Sequence, residues 1–283
     1  MNRPIFAWSL WPLSLEYAFT QRLLACLILA AGCLGGASVG AQTNRLERVL
    51  SSKELRACIW PEYYSISYRN PKTRELSGID IAITQELAKD LGVKVRYVDS
   101  NFSQLYEALE QDRCDIATHA IGVTPDRQAR LLFSQPYLKS GLFAVKLKNN
   151  DALQNWDSLD QPGRVIAVAA GTLMEGVMQK SLKKARLLKV QAPGTREQEV
   201  LSGRADAFMT DYPYSLRMID LTDWAAVLPA PSHLPTTDYA YAFAKGDQSL
   251  QIRVDAFLSL IKKDGRLVQY AKQHNLDQIV LLK

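Results

Sequence analysis

Residues Gly78–Val98, GIDIAITQELAKDLGVKVRYV, hold a helix and the strand that follows it. Ile79, Ile83 and Leu87 recur every four residues and so share one helical face. Lys89 stands in the last turn, and Gly92 supplies the stop. Lys94–Val98 then reads as a strand. Upstream, Leu55–Ile59 (LRACI) is a short apolar strand that ends at Trp60–Pro61. Downstream, Ser103 is placed to cap a helix carrying Leu105, Ala108 and Leu109, and Asp115–His119 reads as a third strand. Strands joined by helices of about ten residues predict βαβ units and a parallel sheet.

The same grammar begins again at Arg164–Ala169 (RVIAVA), a strand followed by Gly171–Thr172 and a helix expected to run through Ala185. Leu187–Gln191 is the next strand. Thr195 with Gln198 forms a capping box for a helix ending near Gly203, and Ala205–Met209 is another strand. The tail differs: Leu250, Val254, Phe257, Leu258 and Ile261 make one apolar helical stripe, and Arg266–His274 a final short helix. No low-complexity linker separates the two α/β halves, so they are expected to pack as neighbours.

Composition fits this reading. The 283 residues are 47% hydrophobic and 22% charged, which excludes disordered, collagen-like and coiled-coil classes. The net charge of +5 is small, and no run of five basic residues occurs. The densest segment, Lys180–Arg186 (KSLKKAR), reads as the solvated face of a helix, so charge implies no nucleic-acid partner. Arg22 precedes the uncharged stretch Leu23–Ala41, which begins apolar and dilutes into Gly, Ala and Ser. Val39 and Ala41 fit the small-residue rule for cleavage after Ala41, so 1–41 is expected to be an export signal and the chain periplasmic. A retained anchor is disfavoured by the short apolar part, and a lipidated Cys33 by Ala30, where a lipoprotein signal prefers Leu. Removing 41 of the 283 residues leaves 242. Cys58 and Cys114 then remain, either as a disulfide or as two separate thiols. No CxxC is present, and His119, His233 and His274 are scattered, so no metal site is expected.

Three segments carry a family resemblance. Gly122–Tyr137, GVTPDRQARLLFSQPY, resembles a Thr-Pro-Glu-Arg then Phe-Ser-x-Pro-Tyr pattern. Leu91–Val98, LGVKVRYV, is the second segment, and Gly203–Asp211, GRADAFMTD, the third. Together they resemble the extracytoplasmic solute-binding proteins, family 3, that serve polar amino-acid importers. The resemblance implies an α/β, type II periplasmic-binding fold of two lobes, each a central sheet flanked by helices, joined by two hinge crossovers. Lobe one would be 46–139 plus 240–283, and lobe two 140–239. The ligand would lie in the cleft between them.

An amino acid presents a carboxylate and an ammonium on one carbon. The resemblance gives the carboxylate to Arg127, whose fork can meet both oxygens. An arginine there is otherwise a solvated residue at a helix start, an end that favours anions over cations. Gly122 and Thr124 follow a strand at its carboxyl end, and Gly171–Thr172 open a helix whose N–H groups suit an anion. Asp211 ends a strand, where it can pair with a ligand ammonium or cap the next helix. Phe102 and Tyr63 match family positions that flank the ligand's aliphatic stem. Members that bind basic amino acids carry an acid where Trp60 stands, which argues against lysine or arginine as the ligand.

The implied function is capture of a small carboxylate-bearing ligand, with an amino acid foremost, by a monomer that closes about its hinge and docks on an ABC-type membrane permease. No cofactor is implied and no catalysis. The alternatives are an exported cyclohexadienyl-dehydratase-like enzyme, for which His119 or Glu175 would have to serve as the acid, and an accessory or sensor protein of a periplasmic system. Neither GxSxG nor a phosphate-binding glycine loop occurs.

Overall fold

The computed structural model describes residues 44–231, 234 and 236–283. The expected export signal at 1–41 and His233 lie outside these residues. Helix α1 (Arg45–Ser52) leads into β1 (Glu54–Ile59), and a two-stranded ribbon, β2 (Tyr68–Arg69) with β3 (Leu76–Ser77), precedes α2 (Ile79–Leu91). Gly92 closes α2 in the left-handed conformation, its N–H bonded to the last-turn carbonyls. Then come β4 (Lys94–Asp99), α3 (Leu105–Glu110), β5 (Ile116–Gly122), α4 (Pro125–Arg130), β6 (Leu131–Phe133) and β7 (Leu138–Ser140). The second series is β8 (Leu142–Leu147), β9 (Val165–Ala169), α5 (Leu173–Ser181), β10 (Arg186–Val190), α6 (Arg196–Leu201), β11 (Ala207–Asp211), α7 (Tyr212–Leu221) and β12 (Ala225–Pro229). The chain returns through β13 (Thr237–Ala244) and ends in α8 (Gln248–Lys263) and α9 (Arg266–Gln273).

Two sheets result. One is ordered β4-β1-β5-β13-β6 with β7 also on β13, the other β10-β9-β11-β8-β12. The sheets are mixed, not purely parallel. Pairs formed through a helical crossover (β1 with β4 and β5, β9 with β10 and β11) are parallel. Strands that enter without one, β8 and β13, pair antiparallel. In the second sheet Ile166, Val168, Ala207 and Met209 face one core cluster, while Ala167 and Phe208 face the other. Side chains that alternate between two covered faces explain these near-continuous apolar runs. The stripe on α8 is fully inside, with Leu250, Val254, Phe257, Leu258 and Ile261 no more than 1% exposed.

Two local readings are corrected. Asn101, not Ser103, caps the turn ahead of α3, its side chain accepting from the Gln104 N–H. Helix α5 stops at Ser181 instead of Ala185, because the Asp160 carboxylate accepts the backbone N–H groups of Lys183, Lys184 and Ala185 and holds them in a turn. The basic run 180–186 is therefore only partly helical. Cys58 and Cys114 form a disulfide between β1 and the residues leading into β5, with sequence separation 56. Closing a loop of that size restricts the unfolded chain by about 4 kcal/mol.

Candidate ligand-binding site

The carboxyl ends of β5 and β11 face each other across the gap between the sheets, and a narrow cavity of about 30 Å³ lies there. Trp60, Tyr63, Phe102, Gly122, Arg127, Thr172 and Asp211 line it. Thr124 does not reach it: its hydroxyl caps α4 by accepting the Arg127 N–H at 3.2 Å.

Arg127 is 6% exposed, so it is not the solvated residue that its helix position alone would allow. Its guanidinium donates to the carbonyls of Gly122, the last residue of β5, and Gly171, in the turn after β9, each at 3.0 Å. The Phe102 ring lies 5.5 Å from its Cζ. Burial lowers its pKa, yet a guanidinium stays charged, and with five N–H donors it is not exhausted by two carbonyls.

Asp211 is the N-cap of α7, accepting the Tyr214 N–H at 3.2 Å, and it faces the cavity as well. Its Oδ2 also accepts the hydroxyls of Tyr63 and Tyr239, the latter at 2.7 Å. Burial first, then the Asp211 charge, raises both tyrosines well above the ordinary phenol value, so both remain donors. Cap and cavity-lining carboxylate are thus one residue. Trp60 stacks on Tyr214 at 5.9 Å with planes 8° apart, and its edge meets Phe102 at 5.5 Å, giving the cavity aromatic walls.

The start of α5 is less open to an anion than its position suggests. The Glu175 carboxylate accepts the Gly171 N–H at 2.8 Å and pairs with Lys189, while Thr172 bonds back to Ala169. Glu175 is therefore committed to the turn before its helix and to β10. His119 lies behind Phe102, fully buried, with Nδ1 3.2 Å from the Cys58 carbonyl and Nε2 without a partner among the described residues.

Ala120 and Leu173, which stand where family members often carry Ser or Thr, complete the wall together with Met174, Arg196, Thr210, Tyr214 and Tyr239, which were missed in the sequence. Ala120 adopts φ 48°, a left-handed conformation held by its N–H donating to the buried Asp80 carboxylate. Arg196 has the same signature as Arg127, an arginine in the first turn of a Thr-capped helix after a strand, and that signature could have found it.

A family model for bacterial extracellular solute-binding proteins, family 3, matches residues 55–277. The chain belongs to that family. Cyclohexadienyl dehydratase of Pseudomonas aeruginosa is 32% identical over 247 residues, 87% of this chain and 90% of the relative. The putative amino-acid ABC transporter-binding protein PatH of Vibrio harveyi is 29% identical over 220 residues, 77% and 86% of the two chains. Among solved structures, an ancestral amino acid-binding protein, AncCDT-1, described as a precursor of cyclohexadienyl dehydratase, superposes with a TM-score of 0.74 at 30% identity. The match covers 81% of this chain and 98% of that one. The architecture is that of the type II periplasmic-binding fold.

In this solute-binding protein the turn after β9 meets the turn after β4 closely at one glycine. Gly171 has φ 75°, and a Cβ there would lie 2.7 Å from the Ser103 backbone. Beside it, the Ser103 hydroxyl donates to the Ala170 carbonyl at 3.1 Å. Gly171→Ala is expected to force these loops apart and weaken ligand binding about tenfold or more, near 1.4 kcal/mol, with the far-ultraviolet spectrum unchanged. Titration calorimetry checks this; full affinity in the variant would show that the contact plays no part in binding.

Proposed function

We propose that the chain is an exported, non-catalytic binding protein that captures a small carboxylate-bearing ligand, an amino acid or a close relative of one, and presents it to an ABC-type permease. The lobes would be 46–139 with 240–283, and 140–239, rotating about the crossovers at 139–142 and 236–240. The observation that carries this reading is the pair of buried opposite charges, Arg127 on α4 and Asp211 at the end of β11, at one aromatic-walled cavity. Arg127 would take the ligand carboxylate and Asp211 its ammonium, while Phe102, Tyr63 and Trp60 flank the stem.

A dehydratase reading is favoured by the Pseudomonas relative. It needs a group that can protonate a leaving hydroxyl. Asp211 already accepts three donors, Glu175 is tied to Gly171 and Lys189, and His119 stands behind Phe102. These engagements favour binding over catalysis.

A thermal-shift screen of the chain without residues 1–41 against amino acids and small organic acids tests the proposal. A ligand at 100 times its Kd should stabilise by about 2.7 kcal/mol, which raises Tm by about 5–10 °C at this size. Incubation with prephenate or arogenate should leave them unchanged. An aromatic product would establish the enzyme instead, and a panel with no stabilising carboxylate ligand would remove the binding assignment.

A further inference from the structure

Arg196 is 5% exposed and lines the cavity that holds Arg127 and Asp211. Its guanidinium lies over the Tyr214 ring at 4.3 Å and the Phe208 ring at 5.0 Å, and donates to the Met209 carbonyl at 2.9 Å. None of the ion pairs among the described residues involves Arg127 or Arg196, so the site holds two buried guanidinium groups against one cavity-lining carboxylate. A zwitterionic amino-acid head needs one of each sign. The second cation is in excess.

Its place in the cleft indicates what it serves. Beyond the first cavity lies a second chamber of about 350 Å³, and Trp60, Arg196 and Tyr214 line both. A side chain sent into this chamber from a head group between Arg127 and Asp211 would pass Arg196. The other charges of that chamber are largely engaged. Glu197 accepts the Tyr214 hydroxyl and lies 3.9 Å from Arg217, Arg217 donates to Tyr214, and Arg69 pairs with Asp99. Glu62 is exposed at the rim. Arg196 combines burial and a position on the shared wall with no direct ion pair, although its charge helps hold the neighbouring Glu197 carboxyl below the usual range against burial.

We infer that Arg196 selects a ligand with a second anionic group on its side chain, a dicarboxylate or acidic amino acid, and disfavours a cationic one. This rests on the proposed role of Arg127 and Asp211 in holding the head group. An anion in a low-dielectric pocket gains two parallel charge-assisted bonds from the fork, whereas a neutral amide of the same shape gains one weaker set. A cationic side chain at the same point meets a buried like charge.

Isosteric pairs read this directly: L-glutamate against L-glutamine, L-aspartate against L-asparagine, and 4-carboxy- against 4-carbamoyl-L-phenylalanine, with L-arginine as the cation. In calorimetry the acid of at least one pair is expected to bind about tenfold or more tighter than its amide, and arginine more weakly than either. Arg196→Gln should erase the preference while the amide's own affinity holds, and Arg196→Lys should restore part of it. Amides equal to or tighter than acids, or a preference that survives Arg196→Gln, would overturn the inference and leave the head-group assignment standing. If no α-amino carboxylate binds at all, the head-group assignment fails and this inference with it.

Discussion

Arg127→Ala is expected to lower affinity for the best ligand by about 100-fold or more, about 3 kcal/mol, while leaving a folded protein. The side chain is buried at the junction of the two sheets, so its truncation leaves a desolvated anion without its counter-charge, a loss in the range of 2–5 kcal/mol. The fold should survive, because the guanidinium's two bonds go to the carbonyls of Gly122 and Gly171 and no ion pair of the core depends on it. Arg127→Lys separates charge from geometry. It keeps the cation but cannot span both carboxylate oxygens, so an intermediate loss of about tenfold is expected. Calorimetry on both variants, with circular dichroism as the folding control, decides it. Unchanged affinity in Arg127→Ala would remove Arg127 from the site.

Much of the fold is legible in local sequence because its signals are local. The Ile79, Ile83, Leu87 face and the Gly92 stop define α2, and the Thr195–Gln198 box defines the start of α6. Local signals are overridden where a distant side chain competes with propensity. Asp160 reaches 23 to 25 residues forward to hold Lys183, Lys184 and Ala185 out of α5. Asn101 takes the cap, and the Ser103 hydroxyl donates instead to the Ala170 carbonyl in the turn after β9. Antiparallel pairing of β8 and β13 depends on how the chain re-enters each sheet, which strand composition does not encode.

The site divides the same way. Arg127 and Asp211 stand beside helix starts where their charge or position invites a second role, and residue type reveals them. Tyr239 meets Asp211 only because β13 returns to the first sheet, so nothing near it in sequence marks it. Glu175 folding back on Gly171 is likewise a tertiary outcome, and it occupies a backbone N–H at the α5 start. Arg196 is the instructive omission. Its local pattern repeats that of Arg127, but no family motif surrounds it.

Behind the site, two buried groups should oppose each other in pH. His119 packs on Phe102, and burial, aided by the Arg127 charge against the Cys58 carbonyl, pushes its pKa down to about 3. A histidine depressed from 6.5 stabilises fully above pH 6.5, and that contribution is lost as pH falls toward 3. Asp80 receives the Ala120 N–H and the hydroxyls of Tyr137 and Tyr241, yet burial outweighs these donors and raises its pKa to about 7. Its contribution is present below the unfolded value, near 4, and is lost as pH rises through 7. Between pH 6.5 and 4 each group changes stability by about 1.4 kcal/mol per pH unit, with opposite signs, so together they nearly cancel. Relative to the wild type, His119→Phe should therefore gain about 3 kcal/mol on going from pH 6.5 to 4, and Asp80→Asn should lose about as much. Urea denaturation at the two pH values reads the difference and is indifferent to any constant offset from repacking. Variants whose stability runs parallel to the wild type across that window would show that neither group titrates in the folded protein as its burial demands. The test reaches the site itself, because Ala120, held left-handed by Asp80, and Phe102, backed by His119, are both part of the cavity wall.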